Sequence, residues 1–324
     1  MKQSLYILAI LALGMRSFQA HAQSTPHSQE TVYTVIYNSV PDQFRFPLIG
    51  FINIAQGSHR GLQVGFVNTT MQSFEGLQVG FVNTILENSL GAKIGFVNTT
   101  RKNSEGLRVG YVNTTLGSSK GAAFGFVNTT LDDTEGLQLG FVNIARKTLE
   151  GAQIGFVNVA DSIPNGVPIG FLSFVKNGGY RALETSVNEL YPFNLSFKMG
   201  VPRFYSFLQG SYYSSYDSQY AFGFGFGSLI PLKSRFYFNP ELSNISPIST
   251  NNPNVTSLAA QLRYSLNSRI QLATGLSALW INYRQDSNLF DPPFFSLANY
   301  EFNAQNRLLL GARFAVSYNF TPIP

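Results

Sequence analysis

From Gly50 to Gly170, apolar and polar positions recur every fifteen residues with almost no slippage. The unit reads Gly-Leu-Gln-Val-Gly-Phe-Val-Asn-Thr-Thr at Gly61 to Thr70, and again from Gly76. Within it Leu62, Val64 and Phe66 alternate with Gln63, Gly65 and Val67, the period of a β-strand with one strongly apolar face. The stretch from Asn68 to Met71, and the polar run ending in Glu75-Gly76, read as a turn, a short second strand and another turn. A unit this short cannot bury an apolar side alone, so copies must stack. Fifteen residues suit one coil of a flattened β-solenoid, and about nine rungs at about 4.8 Å give a rod of roughly 40 Å. A meander of hairpins fits the same period. In the solenoid, columns of Leu, Val and Phe are expected to form a dry core. Asn53, Asn68, Asn83, Asn98, Asn113, Asn128, Asn143 and Asn158 form a column whose amides can bond along the stack as a structural ladder.

After Gly178-Gly179 the fifteen-residue period vanishes and plain alternation takes over. Phe193, Leu195, Phe197 and Met199 alternate with Asn194, Ser196, Lys198 and Gly200. Leu308, Leu310, Ala312, Phe314, Val316, Tyr318 and Phe320 share one face of the last strand, against Gly311, Arg313, Ala315, Ser317 and Asn319. Eight such strands are expected, near 181–188, 193–201, 203–213, 219–229, 234–243, 255–266, 268–281 and 306–320. Apolar-out, polar-in alternation at about ten residues per strand is the pattern of a transmembrane β-barrel. A soluble barrel or sandwich would turn the apolar face inward, and its other face should then be richly charged. Here that other face is mostly Gly, Ala, Ser and Asn. The long connections, Asn244 to Asn254 and Asn282 to Gln305, lie at one end and the tight turns at Pro202 and Asn267-Ser268 at the other. With an even strand count both barrel termini lie at the short-turn end, which is periplasmic in outer-membrane barrels. Glu184, Lys198, Arg235, Glu241, Arg263 and Arg313 are expected to point inward, as an ion-pair network or an ion path.

Composition fits this picture. Charged residues make up only 12%, against 29 Phe and 16 Tyr, and the net charge of +5 is dispersed, so no nucleic-acid footprint is expected. Lys2, the apolar run Leu5 to Leu13 and Ala20-His21-Ala22 have the form of a cleaved export signal. The chain has no cysteine, which excludes a disulfide framework, a thiolate metal site and lipid attachment at a cysteine. The expected organisation is a signal peptide over 1–22, an N-terminal segment with a capping strand over 23–45, the repeat solenoid over 46–176 and the barrel over 177–324.

Candidates for chemistry are few. Thr69 and Thr70 are adjacent, so a strand sends them to opposite faces and no flat ice-binding array forms. Asp132, Asp133 and Asp161 are isolated, unlike the Asp in every turn of calcium-binding solenoids. No His lies beyond Lys176, and His27 and His59 precede the barrel; a carboxylate pair from loop residues such as Asp286, Asp291 and Glu301 is the catalytic alternative, set against the ordinary reading of acidic loop residues as plain loop. No catalytic, cofactor-binding or metal-binding residue is expected, and no cofactor. The column Gln63, Gln78, Lys93, Arg108, Gln138 and Gln153 reads as an exposed, mildly basic stripe suited to a protein or glycan ligand.

The repeats, with Gly-Val-Pro-Ile-Gly-Phe-Leu-Ser-Phe-Val-Lys-Asn-Gly-Gly-Tyr at Gly166 to Tyr180 and Asn-Leu-Ser-Phe-Lys-Met-Gly-Val-Pro-Arg-Phe-Tyr at Asn194 to Tyr205, resemble the surface-repeat proteins of Bacteroidota, related to surface-repeat lipoproteins of Leptospira. The resemblance covers roughly half the chain and implies a cell-envelope address with no assigned activity. This chain lacks the lipobox cysteine of the lipoprotein members, and "surface" stands against the periplasmic side given by strand parity. The expectation is an all-β, non-enzymatic outer-membrane protein. Its partners would be outer-membrane lipid, the barrel assembly machinery, whose C-terminal signal the final Tyr318-Asn319-Phe320 resembles, and a protein or glycan ligand, with no nucleic acid. The alternative is a transport or channel component, with the repeats as plug or as part of a larger barrel.

Overall fold

The computed structural model describes residues 31–214, 219–248, 253–283, 290 and 293–322; the signal-peptide residues, His27, Asp286 and Asp291 lie outside these. The described residues are all-β without helices: a β-solenoid of about eight turns followed by a closed eight-strand antiparallel barrel.

Each solenoid rung contributes one strand to each of two parallel sheets. One sheet stacks Ile52–Ala55, Val67–Thr70, Val82–Ile85 and their successors; the other stacks His59–Val64, Phe74–Val79, Ser89–Ile94 and theirs. Pairing is in register at a fifteen-residue offset, so like residues form columns: Asn98 faces Asn113, and Gly106 faces Gly121. The hairpin meander is thereby excluded, because every long pairing in the stack is parallel. At the N-terminal end Val32–Tyr33 folds back antiparallel on Tyr37–Val40, and Val40, Leu48 and Ala55 with Phe44 make an apolar cap. Ala145, Leu149, Ala160, Ile163 and Val175, joined by Val201 of the barrel, make the other cap.

Between the caps the solenoid is inverted relative to expectation. The side chains inside are mainly Asn, Gln, Thr and Ser, with Lys93, Arg108, His59 and the apolar Phe74, Ile85 and Ala123 among them, while Phe66, Phe81, Phe96, Tyr111, Phe126, Phe141 and Phe156 lie outside, each 43–48% exposed. The dry Leu-Val-Phe core is therefore corrected. The Asn column decides the parity. Asn68 and Thr70 point inward on one strand and His59 and Gln63 on the other, which leaves Leu62, Val64, Val67 and Thr69 on the outer side.

Two glycine columns make the narrow rung possible. Gly91 sits at φ +121, in the region that favours glycine. Gly95 does not; there a Cβ would overlap the Gly80 carbonyl and stand 2.6 Å from Asn83 Nδ2, so this column lets rungs and ladder approach closely.

The barrel strands are Tyr180–Val187 (β1), Phe193–Val201 (β2), Phe204–Tyr212 (β3), Tyr220–Gly227 (β4), Phe236–Pro247 (β5), Asn254–Ser265 (β6), Ile270–Asn282 (β7) and Asn306–Asn319 (β8). Neighbours pair antiparallel in chain order, and β1 pairs with β8 to close the ring. The tight turns after β2 and β6 lie at the end that holds both barrel termini. The connection from β7 to β8 carries a further strand, Ala298–Asn303, paired to the start of β8. Leu242, Leu258, Leu276, Phe222 and Phe314 face outward, each at least half exposed.

Candidate functional surfaces

Inside the solenoid the Asn ladder is a continuous relay of amides. Asn83 Nδ2 donates to Asn98 Oδ1 at 2.8 Å, and Asn98 Nδ2 donates to Asn113 Oδ1 at 2.8 Å and to the Val109 carbonyl at 2.9 Å. The same pattern links Asn53, Asn68, Asn128, Asn143 and Asn158. Both ends are satisfied: Asn38 Oδ1 accepts the Thr34 N–H, and the Asn158 amide reaches Ser173 Oγ at 3.5 Å. With every amide oriented alike, each bond polarises the next. The ladder is a fully occupied structural element that offers no free group to a ligand.

The Gln/Lys/Arg stripe does not lie on the surface. Gln63, Gln78, Lys93, Arg108, Gln138 and Gln153 are all buried, at 0–3% exposure, and form a second interior column. Gln78 Nε2 donates to Gln63 Oε1 at 2.7 Å, Gln153 Nε2 to Gln138 Oε1 at 2.8 Å, and Arg108 to Thr115 Oγ1 at 3.0 Å. The alternation holds from Leu62 to Val64 with its two faces exchanged, but the strand ends there: Gly65 and Phe66 form a corner, so Val67, grouped with Gln63 by simple alternation, lies on the outer side. Lys93 Nζ is held by Ser89 and by Ser104 Oγ at 2.9 Å, with no carboxylate partner among the described residues. Burial, and then the charge of Arg108, hold its ammonium well below the ordinary lysine range; burial lowers Arg108 to about 10. The next position down the column is Ala123, whose small side chain stands beneath Arg108.

His59 is also interior, its Nε2 bonded to the Phe46 carbonyl at 3.1 Å and its ring stacked on Phe74. Burial lowers its pKa, opposed by that carbonyl bond. Of the loop carboxylates, Glu301 is exposed beside Arg307, 3.7 Å away. Among the described residues no group of three or more His, Cys, Asp or Glu is placed to hold a metal.

The barrel interior gathers five of the six charges expected there. Lys198 Nζ lies 2.6 Å from Glu184 and 2.5 Å from Glu241; Arg263 reaches Glu184 at 2.7 Å, and Arg313 reaches Glu241 at 3.1 Å and Glu184 at 3.3 Å. Tyr205 and Ser317 hydroxyls donate to the same carboxylates, and Asn239 links Tyr205 to Arg263. Arg235 is the exception: it is exposed in the turn before β5 and bonds the Leu266 carbonyl. Apolar clusters cover the network at both ends. Tyr180, Tyr205, Phe207 and Leu229 lie toward the short turns, and Leu190, Tyr191, Ile281 and Phe290 toward the long connections.

What sequence reasoning missed is the outer face of the solenoid. Neighbouring rings from Phe51 to Phe171 stack with centroids 4.8–5.1 Å apart and planes within 7°. The signal for it was present. Between Gly61 and Phe174 no Asp, Glu, Lys or Arg occurs in the columns of Leu62, Val64, Phe66, Val67 or Thr69. Apart from the interior Lys93 and Arg108, every charge falls at the opposite corner, where Arg60–Glu75, Glu87–Lys102, Lys120–Glu135 and Asp132–Lys147 pair across successive rungs. Comparison with protein-family models, with curated proteins and with solved structures gives no match to this chain.

Proposed function

We propose that this is a non-enzymatic cell-envelope protein, anchored in the outer membrane by its barrel, with the solenoid as a rigid element for binding or scaffolding. The observation that carries the reading is the barrel's partition: apolar side chains outward, a closed ion-pair network inward. In water this arrangement leaves a wide belt of Leu, Phe and Tyr unburied; in a bilayer each side chain is matched to its surroundings. The resemblance to surface-repeat proteins agrees with an envelope address, and strand parity favours the periplasmic side for the solenoid. The charged corner, with the open groove beside it lined by Arg60, Glu75, Asn88, Asn103 and Glu105, is the surface available to a polar protein or glycan partner. It replaces the Gln/Lys/Arg stripe in that role.

The test is alkaline carbonate extraction of membranes carrying the full chain. Retention in the pellet is expected, and release as folded protein overturns the anchor. Planar-bilayer conductance separates anchor from channel, since a barrel filled by Glu184, Lys198, Glu241, Arg263 and Arg313 should pass no current. Protease cleavage of the repeats only after permeabilisation of cells is the result expected for a periplasmic solenoid.

A further inference from the structure

The Phe column of the solenoid does not end at its last rung. Phe171 stacks on Phe224, a residue of the barrel's outer wall, at 4.7 Å between centroids. Two other wall residues are covered at the same place. Met199 and Ser206 pair across β2 and β3 and follow the inward Lys198 and Tyr205, so both point outward, yet they are only 2% and 1% exposed. Ser206 Oγ donates to the Phe171 carbonyl at 3.0 Å, and Arg203, in the tight turn after β2, donates to the Pro164 carbonyl. The last rung thus sits end-on against the wall over β2, β3 and β4, close to their short-turn ends. The stack direction, marked by the rings, leads away from that wall.

We infer that the charge-free aromatic face of the solenoid is a lipid-contacting surface, lying along the leaflet at the short-turn end of the barrel. The inference rests on the membrane reading of the barrel and names what its neighbouring element touches. Its first support is continuity: the column begins on the outward-facing, apolar wall and runs from it ring upon ring. The second is the division of charge between the two corners, which gives a beam roughly 40 Å long an apolar side and a water-seeking side. The third is the interior. Because the Asn and Gln columns already fill it, the Phe, Val and Leu columns have no core of their own to enter. A contiguous apolar strip of this length is larger than a protein free in water ordinarily exposes.

The chain lacks cysteine, so single cysteines can carry a nitroxide without background. Full-length Phe96→Cys, Phe126→Cys, Lys102→Cys and Leu276→Cys are labelled and reconstituted into phosphatidylethanolamine/phosphatidylglycerol vesicles. Their relaxation is then read against membrane-soluble oxygen and a water-soluble nickel chelate. Labels at 96 and 126 are expected to resemble the barrel-wall label at 276, with oxygen access exceeding nickel access, while 102 shows the reverse. If 276 reads as lipid but 96 and 126 read as water, the inference fails and the membrane reading stands. If 276 itself reads as water, both fail. If 96 and 126 are shielded from both reagents and show spin–spin broadening that dilution with unlabelled chain removes, the face meets a second copy and the lipid assignment is overturned.

Discussion

The barrel and the solenoid both enclose polar side chains and turn apolar ones outward, but they satisfy the enclosed groups in different ways. In the barrel, residues far apart in sequence converge: Glu184 of β1 meets Lys198 of β2, Arg263 of β6 and Arg313 of β8. Opposite charges meet across the lumen, two carboxylates shared among three cations. In the solenoid each interior group meets its own equivalent one rung away, so a charge would meet a like charge, and neutral amides that both donate and accept are the natural occupants. Lys93 beside Arg108 is the departure from that rule. The comparison teaches that a closed ring can pair buried charges by convergence, whereas a translational stack must avoid them.

The largest effect should come from breaking the convergent network. Glu184→Ala leaves Lys198, Arg263 and Arg313 short of a shared carboxylate and should destabilise the barrel by about 3–5 kcal/mol, read as a fall in the urea midpoint of the reconstituted protein. The solenoid should be most sensitive where backbone meets backbone. Gly95→Ala forces rungs apart and should cost about 3 kcal/mol. Limited proteolysis would register it as cleavage within the repeats and an intact barrel fragment. Asn98→Ala deprives Asn83 of its acceptor and Asn113 of its donor, at about 2 kcal/mol; hydrogen exchange should quicken in the flanking rungs and little beyond.

The smallest effect has the opposite sign. The unfolded chain holds the Lys93 proton at its ordinary affinity, while the folded chain releases it at lower pH. Between those two values the unfolded state binds more protons, so solenoid stability rises with pH there and is lowest below it. Lys93→Gln, matching Gln63 and Gln78, should raise stability at neutral pH by about 1–2 kcal/mol and abolish that slope. Exchange rates of rung amides at two pH values check both parts.

Much of this was legible in the sequence because repetition and alternation are backbone properties. The period gave the rungs and the Asn register; alternation gave eight strands, and the inward Glu184, Lys198, Glu241, Arg263 and Arg313 followed from parity. Arg235 was misplaced because alternation was carried two residues beyond the strand end. The solenoid's polarity was misread for a deeper reason. Alternation shows that two faces differ, not which of them is inside, and the habit of placing Phe inward assumes water outside. The decisive clue lay in the Asn column and in the confinement of charge to one corner. The ligand proposed for the charged corner is written in no periodicity, since recognition there depends on a partner's shape.

The central claim, that the outward apolar faces meet lipid, can be tested with the native chain. Trp280 is its single tryptophan, outward on β7 and 41% exposed, packed against Phe302 at 5.3 Å. In vesicles containing brominated phospholipid its fluorescence should be strongly quenched, while iodide in the buffer leaves it nearly unchanged. Quenching by iodide with no response to the brominated lipid would contradict the account.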